Sequence, residues 1–214
     1  MQIRFAEPSL PAAGCVVVTA LDERALSPSA TALDDRLGGA IGRLAATGRF
    51  RGRFGQTADL VAVEPYERVS LIGLGKGTEL TRLRAQDFGG TVMVEVPDDA
   101  DMTPAEMAAR AAFGATLRAY RFDKYRTREK DDQKPSLKTL TFMVAGAKTA
   151  KAAFDPLAKI ADGVVFTRDL VSEPANILYP ETLAREAESL DALGVKVEVL
   201  GEAEMAKLGM GALL

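Results

Sequence analysis

The chain has no histidine, one cysteine and 27 basic against 30 acidic residues in 214. The missing histidine excludes Ser-His-Asp and Cys-His catalysis within the chain, and every His-based metal site. A single cysteine, Cys15, excludes an intramolecular disulfide and fits a reducing compartment. It lies in the apolar run "GCVVVTAL" and is read as a small buried hydrophobe on a strand, not as a nucleophile. No apolar run spans a membrane, and "MQIRFAEPSL" lacks a signal-peptide core, so the expected location is cytoplasmic. The net charge of −3 and pI near 5.2 argue against a dedicated nucleic-acid binder. Aromatic residues are only 6%, yet hydrophobic residues reach 47% and charged residues 27%, an ordinary globular composition.

Strands alternate with helices, which means α/β. "QIRFAE" alternates as a short strand does, and "GCVVVTAL" fits a strand buried on both faces. Leu33, Leu37, Ile41 and Leu44 fall at helical spacing, predicting one helix over residues 30–46. "ADLVAVEP", "RVSLIGLG", "GTVMVEVP" and "LKTLTFMVA" read as strands, with a helix expected around Leu80 to Phe88. "TPAE" starts a helix. Thr103 caps it, Pro104 suits the first position, and Glu106 can close a capping box. Phe113, Leu117 and Tyr120 form one stripe there; Ala108, Ala111, Ala112 and Ala115 form a small-residue face. Residues 123–136 are polar and mixed in sign, an exposed loop.

The next helix is expected to begin no later than Pro156, with Asp155 as its cap. It must end near Glu173, because Pro174 follows. The opening strands follow one another closely, so the sheet is expected to be mixed. After Asn176 the pattern restarts: a helix from Pro180 to Leu190, a strand "VKVEVL" and a short helix "EAEMAKLG". That reads as the beginning of a second domain.

Two chemical motifs fail on inspection. In "GLGKGT", Gly73 to Thr78, the lysine is followed by Gly77 where a phosphate loop needs Ser or Thr. It reads as a glycine-rich turn after a strand. The carboxylate pairs Asp34-Asp35, Asp98-Asp99 and Asp131-Asp132 diverge on helix or strand, and read as surface or capping residues. No residue emerges as a catalytic, cofactor-binding or metal ligand.

"RDLVSEPAN", Arg168 to Asn176, is more specific. With "LGMGALL" at Leu208 to Leu214 and a weaker "AYRFDKYRT" at Ala119 to Thr127, the chain resembles the leucyl aminopeptidase (cytosol aminopeptidase) family. The resemblance implies a macro-domain-like N-terminal α/β domain with a mixed sheet flanked by helices (residues 1–150). A linker helix (151–175) and the incomplete start of a catalytic domain (176–214) follow. It also implies a metallopeptidase that releases N-terminal residues from peptides using two divalent ions, zinc or manganese. Their ligands would be carboxylates and a lysine. A homo-hexamer without membrane association is implied too.

In that family the Glu-Pro-Ala-Asn turn joins two domains, so Arg168, Asp169 and Glu173 are expected to pack and pair around a junction. Asn176 is expected to satisfy backbone groups in the turn. The family carries Thr or Ser where this chain has Tyr179, which cannot cap the following helix. The family's metal motifs do not appear: Gly75-Lys76-Gly77 is only a decoy, and Asn176 is the sole asparagine. The expectation is therefore the N-terminal portion of such an enzyme, inactive alone, serving assembly or regulation. The alternatives are a macro-like module binding a nucleotide or ADP-ribose near Gly73 to Thr78, or DNA.

Overall fold

The computed structural model describes residues 1–75, 90–95, 102–130, 134–135 and 137–213. They form two compact units, Met1–Val165 and Phe166–Leu214.

The first unit holds strands β1 (Gln2–Ala6), β2 (Gly14–Ala20), β3 (Thr57–Val63), β4 (Tyr66–Gly73), β5 (Gly90–Met93) and β6 (Thr139–Met143). They make one sheet in the order β1-β6-β5-β2-β4-β3. Every pairing is parallel except β3 with β4. The sheet is thus mixed, as expected, but for a different reason. β1 and β2 are consecutive without pairing, and the antiparallel element is the β3–β4 hairpin, closed through Glu64-Pro65.

Alternation along β2 explains its apolar run. Val16, Val18 and Ala20 pack with Ala30, Leu33, Ile41 and Ala45 on one face. Val17 joins Leu140, Phe142 and a row of alanines on the other. A strand in the middle of the sheet therefore needs apolar residues at every position. The alanine row belongs to helix α3 (Pro104–Arg118), which buries Ala108, Ala111, Ala112 and Ala115 and leaves Phe113 and Leu117 half-buried. Small side chains bring the helix backbone close to the sheet. Its capping box is present: Thr103 Oγ1 accepts from the Glu106 N–H at 3.2 Å, and Glu106 Oε2 accepts from the Thr103 N–H at 3.0 Å.

Three expectations need correction. The single helix over residues 30–46 is two, α1 (Pro28–Arg36) and α2 (Ala40–Thr47). Gly38 and Gly39 take φ of 58° and 80°, which only glycine adopts cheaply, and break the helix between them. Helix α4 runs Ala147–Ser172 with Pro156 inside it, so Asp155 is not its cap. Asp155 instead pairs with Lys151 one turn earlier, at 3.1 Å. The cap comes from Glu7 beyond β1, whose carboxylate accepts from the N–H groups of Gly146 (3.3 Å) and Ala147 (2.9 Å). The helix does stop before Pro174.

Lastly, "VKVEVL", Val195 to Leu200, is not a strand. A strand is held by ladder bonds, and no described strand lies in the second unit for it to pair with. That unit carries α5 (Pro180–Glu188), a 3-10 turn over Ser189–Leu193, and α6 (Glu202–Lys207). The helix expected at Leu80 to Phe88 lies outside the described residues.

Candidate functional site

Ligands of open α/β sheets bind where parallel strands end and neighbouring connections diverge. Here that place is the C-terminal edge between β2 and β5. The glycine-rich turn begins one strand away, at the end of β4 on the other side of β2, and the backbone of its described part is already engaged. The Leu74 N–H donates to Ala20 O at 2.8 Å, the Gly75 N–H donates to Gly52 O at 2.8 Å, and Gly75 O accepts from the Asp22 N–H at 3.0 Å. A Cβ on Gly73 would stand 2.3 Å from Arg53 O, so the glycine serves close backbone packing. Lys76, Gly77 and Thr78 lie outside the described residues.

The helix N-terminus at this edge, a natural anion site, is also filled. Glu95, just past β5, brings its carboxylate to the start of α1. The Ser29 N–H donates to Oε1 and Oε2, both at 3.1 Å, and the Ser29 hydroxyl donates to Oε1 at 2.9 Å. Glu7 does the same for α4. Both carboxylates sit where a phosphate would, and both act across more than 60 residues of chain. No local sequence signal marks either residue.

Asp34 turns out to be a third cap, with Oδ1 accepting from the N–H groups of Ile41 (2.7 Å) and Gly42 (3.0 Å). Asp35 is exposed. The pairs Asp98-Asp99 and Asp131-Asp132 lie outside the described residues. Cys15 is half-buried at the start of β2, less enclosed than expected, with its thiol 3.9 Å from Glu67 Oε2. In the polar loop, Glu129 is 11% exposed and ion-paired with Arg121, so this part of the loop is held down. Among the described residues, no group of three or more Cys, Asp or Glu side chains is placed to hold a metal ion. None of the helices among them is long and apolar enough to cross a membrane.

The junction motif closes α4. Arg168 and Asp169 are exposed on its last turns, and Glu173 is half-buried just past its end. Pro174 O accepts from the N–H groups of Ile177 (2.8 Å) and Leu178 (3.0 Å) and makes the turn. Asn176, expected to help, contributes no side-chain bond among the described residues. Tyr179 precedes α5 without a side-chain cap, as the sequence implied. Thr182 Oγ1 accepts from the Tyr179 N–H at 2.9 Å instead. Leu178, Tyr179, Pro180, Leu183, Ala184 and Ala187 line an open apolar groove. No described residue from Phe166 to Leu213 is buried; Val171 is 81% exposed and Leu193 79%.

Residues 16–129 match the N-terminal domain of the cytosol aminopeptidase family, and residues 165–214 match that family's catalytic domain. A probable cytosol aminopeptidase of Caulobacter vibrioides is 48% identical over all of this chain and 46% of its own length. Another, from a Bradyrhizobium species, is 41% identical over 93% of this chain and 43% of its own. The chain thus spans about half the length of the curated relatives it matches. Among solved structures, a tomato leucine aminopeptidase mutant superposes with a TM-score of 0.75 at 19% identity, covering 98% of this chain and 46% of that one. The bottromycin maturation enzyme BotP in complex with Mn gives 0.62 at 22%, covering 93% and 40%. At these identities the likeness is one of fold.

Proposed function

The chain belongs to the cytosol aminopeptidase family, and from that premise we propose that it is the N-terminal portion of a metal-dependent leucyl aminopeptidase. The whole enzyme would release N-terminal amino acids from peptides in the cytoplasm, as a homo-hexamer with two manganese or zinc ions. The residues described here offer no donor set that fits such a pair of ions. We assign the metals and the chemistry to the rest of the catalytic domain, and assembly or regulation to this portion. The assignment divides the chain into an N-terminal domain over 1–150, a linker helix over 151–175 and the opening of the catalytic domain from 176.

The observation that carries this reading is the second unit. From Phe166 to Leu213 it buries no residue while exposing Val171, Leu183, Leu193, Val195, Val199, Leu208 and Leu213. Two short helices and one extended segment without a core do not offset their own ordering entropy. Such a segment fits the first piece of a larger sheet domain. The alternative, a nucleotide or ADP-ribose site at this edge of the sheet, meets described donors of Leu74, Gly75 and Ser29 that are already taken by Ala20, Gly52 and Glu95.

Hydrogen exchange on the purified chain tests the reading. Amides of residues 175–213 should exchange at nearly unprotected rates while β2, β4 and β6 stay protected. Strong protection over Val195 to Leu200 in a proven monomer would contradict it.

A further inference from the structure

Two arginines far apart in the sequence reach for one oxygen. Arg24 Nε donates to Phe50 O at 2.9 Å, and Arg51 Nη1 donates to the same atom at 3.2 Å. The two nitrogens therefore lie no further apart than those two bonds laid end to end. Like charges held so close repel, and more strongly in a part-buried setting than in open water. The carbonyl dipole they share offsets only part of that repulsion. A carboxylate between them would offset the rest. Yet neither Arg24 nor Arg51 forms an ion pair among the described residues, although Asp22 and Glu23 precede Arg24 directly.

The backbone beneath the pair is fixed and, at one turn, strained. Glu23 and Arg24 take φ of 60° and 67°, a left-handed conformation that residues with a Cβ adopt at a cost. Gly52 lies pressed against this turn: a Cβ on it would stand 1.8 Å from Leu21 O and 3.3 Å from Arg24 N. The Asp22 N–H donates to Gly75 O at 3.0 Å, and the Gly75 N–H donates to Gly52 O at 2.8 Å. Gln56 Oε1 accepts from the Arg51 N–H at 2.8 Å. Phe50, whose carbonyl the arginines share, is 5% exposed in the core beside Leu33 and Ile41.

Each guanidinium gives one N–H to Phe50 O, and its other donors have no partner among the described residues. The pair stands just past the C-terminal ends of β2 and β4, the edge at which open α/β sheets take ligands. Arg49 and Arg53 face solvent on the same loop but do not reach Phe50 O.

Two positive charges without a counter-charge, converging on one point, fit a compact dianion. A phosphate monoester carries nearly two negative charges and three acceptor oxygens on a single centre. Planar guanidinium forks match those oxygens, and forks already fixed at one end lose little further freedom on binding. A single carboxylate balances only one arginine, and a dicarboxylate spreads its charge over two separated groups. We propose that Arg24 and Arg51 form a binding site for a small phosphate monoester or free inorganic phosphate, whose oxygens accept from the remaining donors of both side chains. Arg49 and Arg53 lie outside that site.

Calorimetric titration of the 214-residue chain with inorganic phosphate, and separately with glycerol phosphate, tests this at about 0.15 M salt. Saturable binding at one site is expected. Tighter binding of glycerol phosphate identifies an esterified ligand, and tighter binding of inorganic phosphate identifies the free ion. R51Q and R24Q should each weaken binding by at least about tenfold, the loss of charged hydrogen bonds. R51K keeps the charge without the fork and should recover only part of the loss. The Arg51 side chain is exposed, so R51Q leaves the core intact, and a urea midpoint equal to that of the unaltered chain checks this. R49Q/R53Q removes two charges from the same loop and should change affinity by less than about twofold, because charges outside the site are screened. The proposal is overturned if no saturable binding appears up to about 10 mM ligand, or if R51Q binds as the unaltered chain does. It is also overturned if R49Q/R53Q weakens binding as much as R51Q, which marks a diffuse basic surface, or if succinate binds as tightly as both phosphates.

Discussion

Replacing Glu95 by alanine should destabilise the first unit by about 2 kcal/mol. The carboxylate accepts the Ser29 N–H and hydroxyl at 2.9 to 3.1 Å in a part-buried setting. A hydrogen bond to a charged group contributes about 1.5–3 kcal/mol. Its position at the start of α1 adds roughly 0.3–1 kcal/mol from the helix dipole. Water regains part of the loss, because the site is not fully enclosed, which sets the net near the lower figure. For a protein of this size the melting temperature should fall by about 4–8 °C. Glu95→Gln keeps an acceptor without the charge and should cost about half as much. Asp155→Ala, which breaks an exposed pair on α4, is the control, worth about 0.3–0.5 kcal/mol. Urea unfolding followed by far-UV circular dichroism measures all three. If Glu95→Ala costs no more than Asp155→Ala, the carboxylate is not holding α1, and the reading of the β2–β5 edge as a filled anion site fails with it.

The remaining predictions concern the other helix termini. The Thr103 backbone N–H, then its side chain, holds the Glu106 carboxyl below the usual carboxylate range. A group lowered in the folded state stabilises above its unfolded value and loses that contribution as pH falls through the folded one. Glu106→Gln should therefore flatten the loss of stability below about pH 4.5 and leave its shape near neutrality unchanged, as read from urea midpoints across that range. Tyr179→Thr supplies the missing cap of α5 and should slow exchange of the Glu181 or Thr182 amide by roughly fivefold, the equivalent of about 1 kcal/mol. Unchanged or faster exchange would mean that the ring's place in the groove, with Leu178 and Leu183, matters more than the cap.

Features decided by local chemistry were legible in the sequence. The β2 run, the Thr103–Glu106 box and the stop before Pro174 each follow from residues a few positions apart. The mixed sheet was legible too, although its antiparallel pair is β3 with β4. Errors came where distant groups decide. Asp155 looked like the helix cap because the true one, Glu7, lies 140 residues before Ala147. The apolar stripe through Leu33 and Ile41 hid the Gly38-Gly39 break, since both flanking helices face the same core. "VKVEVL" has the composition of a strand but no described partner to pair with. The junction motif was legible only through family resemblance.

The central claim is that this chain supplies the N-terminal domain and the opening of a catalytic domain, with the metal chemistry carried elsewhere. Two-metal hydrolysis requires ligands that hold both ions while bound water is activated. The direct measurement uses the purified 214-residue chain, its mass confirmed, equilibrated with excess manganese or zinc. Bound metal and hydrolysis of a leucine anilide are then read together. The account predicts no tight stoichiometric metal and turnover indistinguishable from background; stoichiometric tight metal with robust turnover would contradict it.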